Sequence, residues 1–160
     1  MTSLYQLIKQ LEIHEVSFVI VGGFAGVLYG SPLITEDLDI CISFEQDSLN
    51  RLWNALKTLH PVHRMTPQKI PLDEEQIKSG TLKNLYLRTD LGTLDCLSEI
   101  AGLGDFQAVL QKSEKRLVED TSFHVLTREG LILSKKAMNR LKDRATILFL
   151  ESQGRVQENL

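Results

Sequence analysis

Asp37 and Asp39 stand two residues apart in EDLDICIS, residues 36–43, where polar and apolar side chains alternate. A period of two predicts a strand. Asp37, Asp39 and Cys41 then share one face, and Leu38, Ile40 and Ile42 share the other. The two carboxylates lie about 6.5 Å apart along that strand. Like charges at this spacing oppose each other's ionisation unless a cation sits between them, and Asp is disfavoured in strands. A divalent ion bound through oxygen accounts for both, and hard carboxylates select Mg2+ or Mn2+ over zinc. A D-x-D pair also arises by chance on exposed strand edges, so the third acid matters. Asp95 interrupts a run from Leu91 to Leu97 that is otherwise apolar or small. An Asp in a strand core requires a partner or a metal. If its strand lies beside that of Asp37 and Asp39, three carboxylates converge.

Upstream, VIVGGFAGVLYG places Gly22-Gly23 between a β-branched apolar run and a short helix. Glycines there let an anion approach the main chain, and backbone N–H groups at a helix start favour negative charge. The dinucleotide pattern G-x-G-x-x-G fails because Val21 stands where its first glycine belongs, and no Lys-Ser/Thr follows for a Walker motif. Taken alone, the pair is an ordinary turn. Thr35 either touches a phosphate or caps the loop before Asp37. His60 and His63 have a metal-compatible spacing, but they flank Pro61 and lack companion ligands, so they read as surface histidines.

These residues need elements to hold them. Leu4, Leu7, Ile8 and Leu11 predict an opening amphipathic helix with Ser3 as its cap. Residues 16–21 predict a buried strand, 24–29 a short helix closed by Gly30, and 47–59 a helix with Leu49, Leu52, Trp53, Leu56 and Leu59 inward. The proline-rich stretch 60–80 is irregular apart from a helical turn or two in DEEQIKSG. Residues 82–88 and 91–98 predict a hairpin, 105–111 a short helix, and 116–125 one or two strands. The chain closes with a helix over 127–133 and a longer one over 134–152, whose core stripe is Ala137, Leu141, Ala145 and Leu148. Strands and helices in this mixed order favour an α+β fold with a small mixed sheet. The chain reads as a single domain over residues 1–160, with no internal repeat and no linker.

The 160 residues are 42% hydrophobic, enough for a sizeable core, and carry a net charge of −3. That charge gives no broadly basic coat for nucleic acid, and an aromatic share of 6% is too sparse for a base-stacking platform. Cys41 and Cys96 cannot build a disulfide framework and fall on opposite strand faces, which suits a reducing compartment. No export signal or membrane span is visible, so a soluble cytoplasmic protein is expected. The charge is unevenly spread, −5 over residues 1–100 and +2 over 101–160. Residues 36–47 hold five acids and no base, whereas residues 134–144 hold Lys135, Lys136, Arg140, Lys142 and Arg144 against Asp143 alone. Such clusters suit a metal site beside a phosphate site, and equally two solvated faces.

The order of features is what carries a resemblance: apolar strand, Gly22-Gly23, short helix, Thr35, Asp37-x-Asp39, then Asp95. Over residues 5–150 it resembles the nucleotidyltransferase superfamily that includes DNA polymerase beta. Within that superfamily it looks like the small prokaryotic proteins related to abortive-infection nucleotidyltransferase toxins. LGTLDCLSEIAGLGDF is similar to that group's third-Asp strand, and LILSKKAMNRLKDRATILFL to its closing K…R-x-K-D helix. The resemblance implies Mg2+- or Mn2+-dependent transfer of an NMP from an NTP, with Asp37, Asp39 and Asp95 as metal ligands. Gly22, Gly23 and Thr35 would then meet the triphosphate, and Lys135 and Lys136 are the candidates to neutralise its charge. The chain departs from the family in having Leu33-Ile34 where an Arg often precedes the Thr, and Gly-Gly where active members have Gly-Ser. Each change removes a phosphate contact. Three functions are compatible with these residues: an active nucleotidyltransferase with an unidentified acceptor, a silent binding module partnered in a toxin–antitoxin pair, and an unrelated domain holding one structural cation.

Overall fold

A computed structural model describes residues 3–158, with side chains described through residue 155. Leu4, Leu7, Ile8 and Leu11 are buried along one face of α1 (Ser3–Ile13), the periodicity that drives a helix onto a core. β1 (Val19–Val21) is buried throughout, and α2 (Gly22–Leu28) begins at the next residue. Gly22 makes that junction at φ +69°, a left-handed conformation in which a Cβ is strained. β2 (Asp37–Cys41) follows, then α3 (Gln46–Leu56), which buries Leu49, Leu52, Ala55 and Leu56. A 3-10 turn over Lys57–Leu59 leads to β3 (Val62–His63). α4 (Glu74–Lys78) opens on a capping box, with the Asp73 carboxylate accepting from the Gln76 N–H and the Gln76 side chain reaching back to the Asp73 N–H.

β4 (Asn84–Thr89) and β5 (Gly92–Leu97) form the expected hairpin. β6 (Glu99–Ile100) and β7 (Gly104–Asp105) make a separate two-stranded ribbon before α5 (Phe106–Gln111). β8 (Ser113–Val118) and β9 (Thr121–Leu126) form a second hairpin, and α6 (Arg128–Met138) and α7 (Arg144–Glu158) end the chain. The main sheet has seven strands in the order β3-β4-β5-β2-β1-β9-β8. It is mixed: β2 runs parallel to β5 and β1 parallel to β9, whereas β1 and β2 are antiparallel. The architecture is α+β, as the mixed order of elements implied.

The C-terminal segment differs from the helix expected over 134–152. α6 stops at Met138, and Asn139 turns left-handed at φ 52°, its N–H bonding the carbonyls of Lys135 and Lys136. Asn tolerates this conformation and so serves as a helix terminator. A 3-10 turn at Leu141–Asp143 then restarts the chain as α7. The expected core stripe faces outward on both sides of the break, because α6 turns Leu131, Ser134 and Lys135 inward. Ala137 and Ala145 are exposed, and Leu141 and Leu148 keep 76% and 63% of their surface open. Ser134, Lys135, Asp143, Thr146 and Leu150 are buried in their place.

Candidate active site

Strand pairing decides where the acids go. The β2–β5 register sets Asp39 opposite Asp95 and Asp37 opposite Thr93. Directly paired residues project from the same face of a sheet, so Asp37, Asp39 and Asp95 share one face. On the other side of β2, Val21 pairs with Asp39, which carries the following residue to the Asp39 side chain. A Cβ on Gly22 would collide with Oδ2 of Asp39. Glycine is therefore required here twice over, by its positive φ and by the approach of the carboxylate. Gly23 lies against Thr35, whose Oγ1 is 3.4 Å from the position a Cβ would take. Thr35 in turn fixes the start of β2: its Oγ1 donates to the Asp37 carbonyl at 3.2 Å and accepts from the Asp37 N–H at 3.3 Å. Gly22, Gly23, Thr35, Asp37, Asp39 and Asp95 are thus gathered in one place.

The electrostatics of the cluster are asymmetric. Burial, then the nearby charges of Asp95 and Asp37, push the Asp39 carboxyl up to about 6, against the opposing pull of Arg64 and Arg140. Among the described residues no side chain hydrogen-bonds or ion-pairs with the carboxylates of Asp37 or Asp39. Asp95, only 8% exposed, is engaged. Arg64 Nε donates to its Oδ1 at 2.9 Å and Nη2 to its Oδ2 at 2.5 Å, a bidentate, charge-assisted pair. The backbone N–H of Arg64 donates to the Tyr86 carbonyl at 3.0 Å, and its guanidinium sits 5.6 Å from the Tyr86 ring centroid. Tyr86 is itself the β4 partner of Asp95. As the side chains stand, no three His, Cys, Asp or Glu among the described residues are arranged to hold a metal ion.

Sequence reasoning missed Arg64. It lies in the irregular proline-rich stretch and has no spacing relation to the acids. The available signal was the requirement that a buried Asp95 find a partner.

The basic cluster is arranged differently from the acidic one. Lys135 is 3% exposed, and its ammonium bonds Asp143 at 3.0 Å. Arg140 Nε donates to the other oxygen of Asp143 at 2.6 Å. Lys136 projects outward and pairs with Glu151 at 2.6 Å. Both lysines thus spend their charge on acids of the closing segment, and Arg140 is the base there whose charge bears on Asp39. His60 pairs with Asp90 at 2.7 Å and His63 with Gln76 at 2.8 Å. Cys41 and Cys96 are buried, unpaired thiols. Burial pushes Cys41 up to about 12 and Cys96 above that range, so neither is a nucleophile at neutral pH.

Beside Thr35 a cleft of about 790 Å3 is lined by Phe24, Val27, Pro32, Leu33 and Ile34. Ile34 is 93% exposed at its rim. Leu33 and Ile34 therefore give this cleft an apolar rim next to Thr35.

The arrangement is that of a nucleotidyltransferase-like fold: a glycine turn against a D-x-D strand, with a third Asp on the neighbouring parallel strand. A crystal structure from Thermotoga maritima, provisionally named a nucleotidyltransferase, matches this chain with a TM-score of 0.57 at 14% identity. The match covers 94% of this chain and 91% of that one. At this identity the likeness establishes the fold. No family model and no curated protein matches the sequence. No helix among the described residues is long and apolar enough to cross a membrane.

Proposed function

We propose that the chain is a Mg2+- or Mn2+-dependent nucleotidyltransferase that moves an NMP from an NTP to an acceptor hydroxyl on a protein, an RNA end or a small molecule. The supporting observation is the register of β2 on β5, which sets Asp39 beside Asp95 with Asp37 on the same face and Gly22 against Asp39. The donor set fits a hard divalent ion. Asp37 and Asp39 offer only oxygen, carry no other partner, and include a carboxyl whose raised pKa a nearby cation would lower. A bound ion would hold the triphosphate and stabilise charge on the departing pyrophosphate.

The protein's own contributions follow from the geometry. Asp37 and Asp39 would hold the ion from one strand face. Gly22 and Gly23 leave the main chain open to phosphate oxygens, and Thr35 keeps the entry to β2 fixed. Asp95, once free of Arg64, would take the proton of the acceptor hydroxyl on a carboxylate oxygen. Reducing conditions suit the two free thiols, so the cytoplasm is the proposed site of action.

A second reading has one observation in its favour. The bidentate Arg64–Asp95 pair already neutralises the third carboxylate, as a catalytically silent nucleotide-binding module would require. Such a module would act through a second protein, as in a toxin–antitoxin pair. Incubation with Mg2+ and each labelled NTP, alone and with RNA, separates the two. The enzyme reading expects label on protein or RNA, and its loss in Asp39→Asn. An NTP-induced thermal shift without label supports the silent module over a protein or RNA acceptor, and neither label nor shift refutes both.

A further inference from the structure

Three carboxylates share the site, and among the described residues one cation, Arg64, makes direct contact with them, while Arg140 acts on Asp39 from a distance. The Arg64 guanidinium is bidentate on Asp95 and also lowers the ionisation penalty at Asp39. Formally, three Asp and one Arg leave two negative charges, the charge of a single divalent ion. The two carboxylates left over, Asp37 and Asp39, are adjacent on one strand face and are the two without a side-chain partner. We propose that Arg64 is a built-in counter-cation: it reserves Asp95, so the resting chain takes one divalent ion through Asp37 and Asp39. Asp95 opens to a second cation only when the guanidinium rotates away. The inference rests on the metal-dependent reading above and assigns that site a resting state.

The geometry supports a rotation rather than a strand movement. The Arg64 main chain is pinned to the Tyr86 carbonyl at the sheet, so the backbone has no need to move. The side chain is 27% exposed against 11% for that of Asp95, which leaves the guanidinium an open route to solvent. Its Nη1 already donates to Met65 Sδ at 3.3 Å, in a turn whose Met65 and Ile70 are 66% and 45% exposed. The planar fork matches both oxygens of Asp95 at once, and an ammonium in its place would hold a single point. A purely structural Arg64 would anchor β3 to the hairpin and leave metal binding untouched.

The test is a titration of the full chain with Mn2+, reading free ion by electron paramagnetic resonance, so that no turnover is needed. The wild-type protein is expected to bind one Mn2+ per chain, and Arg64→Gln to bind a second. The first ion should also tighten by about tenfold, as expected when a unit positive charge is removed a few ångströms from a cation. Asp95→Asn should weaken the first ion by a comparable factor, since it removes a unit negative charge beside Asp39, and abolish the second ion in the Arg64→Gln background. Equal stoichiometry and affinity in the wild type and a folded Arg64→Gln variant would overturn the proposal. If that variant does not fold, Arg64→Lys decides. Its weaker grip must admit a second Mn2+ that Asp95→Asn abolishes, and a stoichiometry of one with either Asp95 or Asn at that position overturns the proposal. Asp37→Asn and Asp39→Asn mark the other failure. If they leave Mn2+ binding intact, the metal reading itself is wrong, whereas if they abolish it and Arg64→Gln changes nothing, only the role of Arg64 is.

Discussion

Asp39→Asn should make this protein more stable at neutral pH. Burial and the charges of Asp95 and Asp37 raise the Asp39 carboxyl from 3.8 to about 6. A carboxyl raised on folding binds more protons in the native than in the unfolded state between those values, so stability falls as pH rises through that window. At about 1.4 kcal/mol per tenfold, the full penalty is about 3 kcal/mol once both states are ionised. At pH 4.5 the folded carboxyl is still neutral and about 1 kcal/mol of it is felt, while at pH 7.5 nearly all of it is. Asn removes the titration. The substitution should therefore favour the variant by about 2 kcal/mol more at pH 7.5 than at pH 4.5. Urea denaturation of both proteins at both pH values measures the double difference. Titrating groups that do not interact with Asp39 cancel between the two proteins, as does any pH-independent cost of burying an amide. A substitution effect equal at the two pH values, or one that favours the wild type as pH rises, would refute the claim that the site holds a strained carboxylate.

Two further substitutions probe the elements around it. Gly22→Ala meets both a positive φ and the Asp39 carboxylate. It should destabilise the fold by about 1–3 kcal/mol in thermal or urea melts, and abolish nucleotidyl transfer by displacing Asp39. Lys135→Met leaves Asp143 buried with Arg140 as its remaining cation, and should cost less than the roughly 3–5 kcal/mol of a fully uncompensated buried charge. The double variant Lys135→Met/Asp143→Leu should recover part of that loss in a denaturation cycle, because it removes the half-compensated charge as well.

Elements whose identity depends on local pattern were legible in the sequence. α1, α3 and the β4–β5 hairpin follow from apolar spacing and turn residues within each segment. The capping box of α4 is visible in DEEQ. The failures have a common cause in single residues whose conformation outweighs the pattern around them. Asn139 is unremarkable in composition, yet its left-handed turn ends α6 at Met138 and divides the expected helix in two. Ala137, Leu141, Ala145 and Leu148 face solvent on both sides of that break, and a lysine and an aspartate go inside. The apolar spacing across 134–152 does not reveal this, because the face that packs includes Ser134, Lys135, Asp143 and Thr146. Lys135 shows how far the consequence travels: read as a base at the start of a helix it is a phosphate ligand, but in the last turn of α6 it is a buried partner for Asp143.

The acidic site shows the complementary limit. Asp37 and Asp39 share a face by the strand period alone, and the lone Asp95 in an apolar run required some partner. The sequence could not say which. Two answers, a neighbouring carboxylate strand with a metal or a cation from the protein, satisfy the same burial argument. The structure contains both halves: β5 lies in register beside β2, and Arg64 reaches Asp95 from the far edge of the sheet through β4. The second contact joins residues 31 apart in sequence, with α4 and β4 between them, so no local spacing encodes it. On the proposed metal-dependent reading it is also the contact that most changes the chemistry, because it would set how many cations the carboxylates take and which of them is free to accept a proton. A D-x-D pair with a distant third Asp thus marks a candidate site, while its resting charge state depends on whichever base the tertiary fold brings to it.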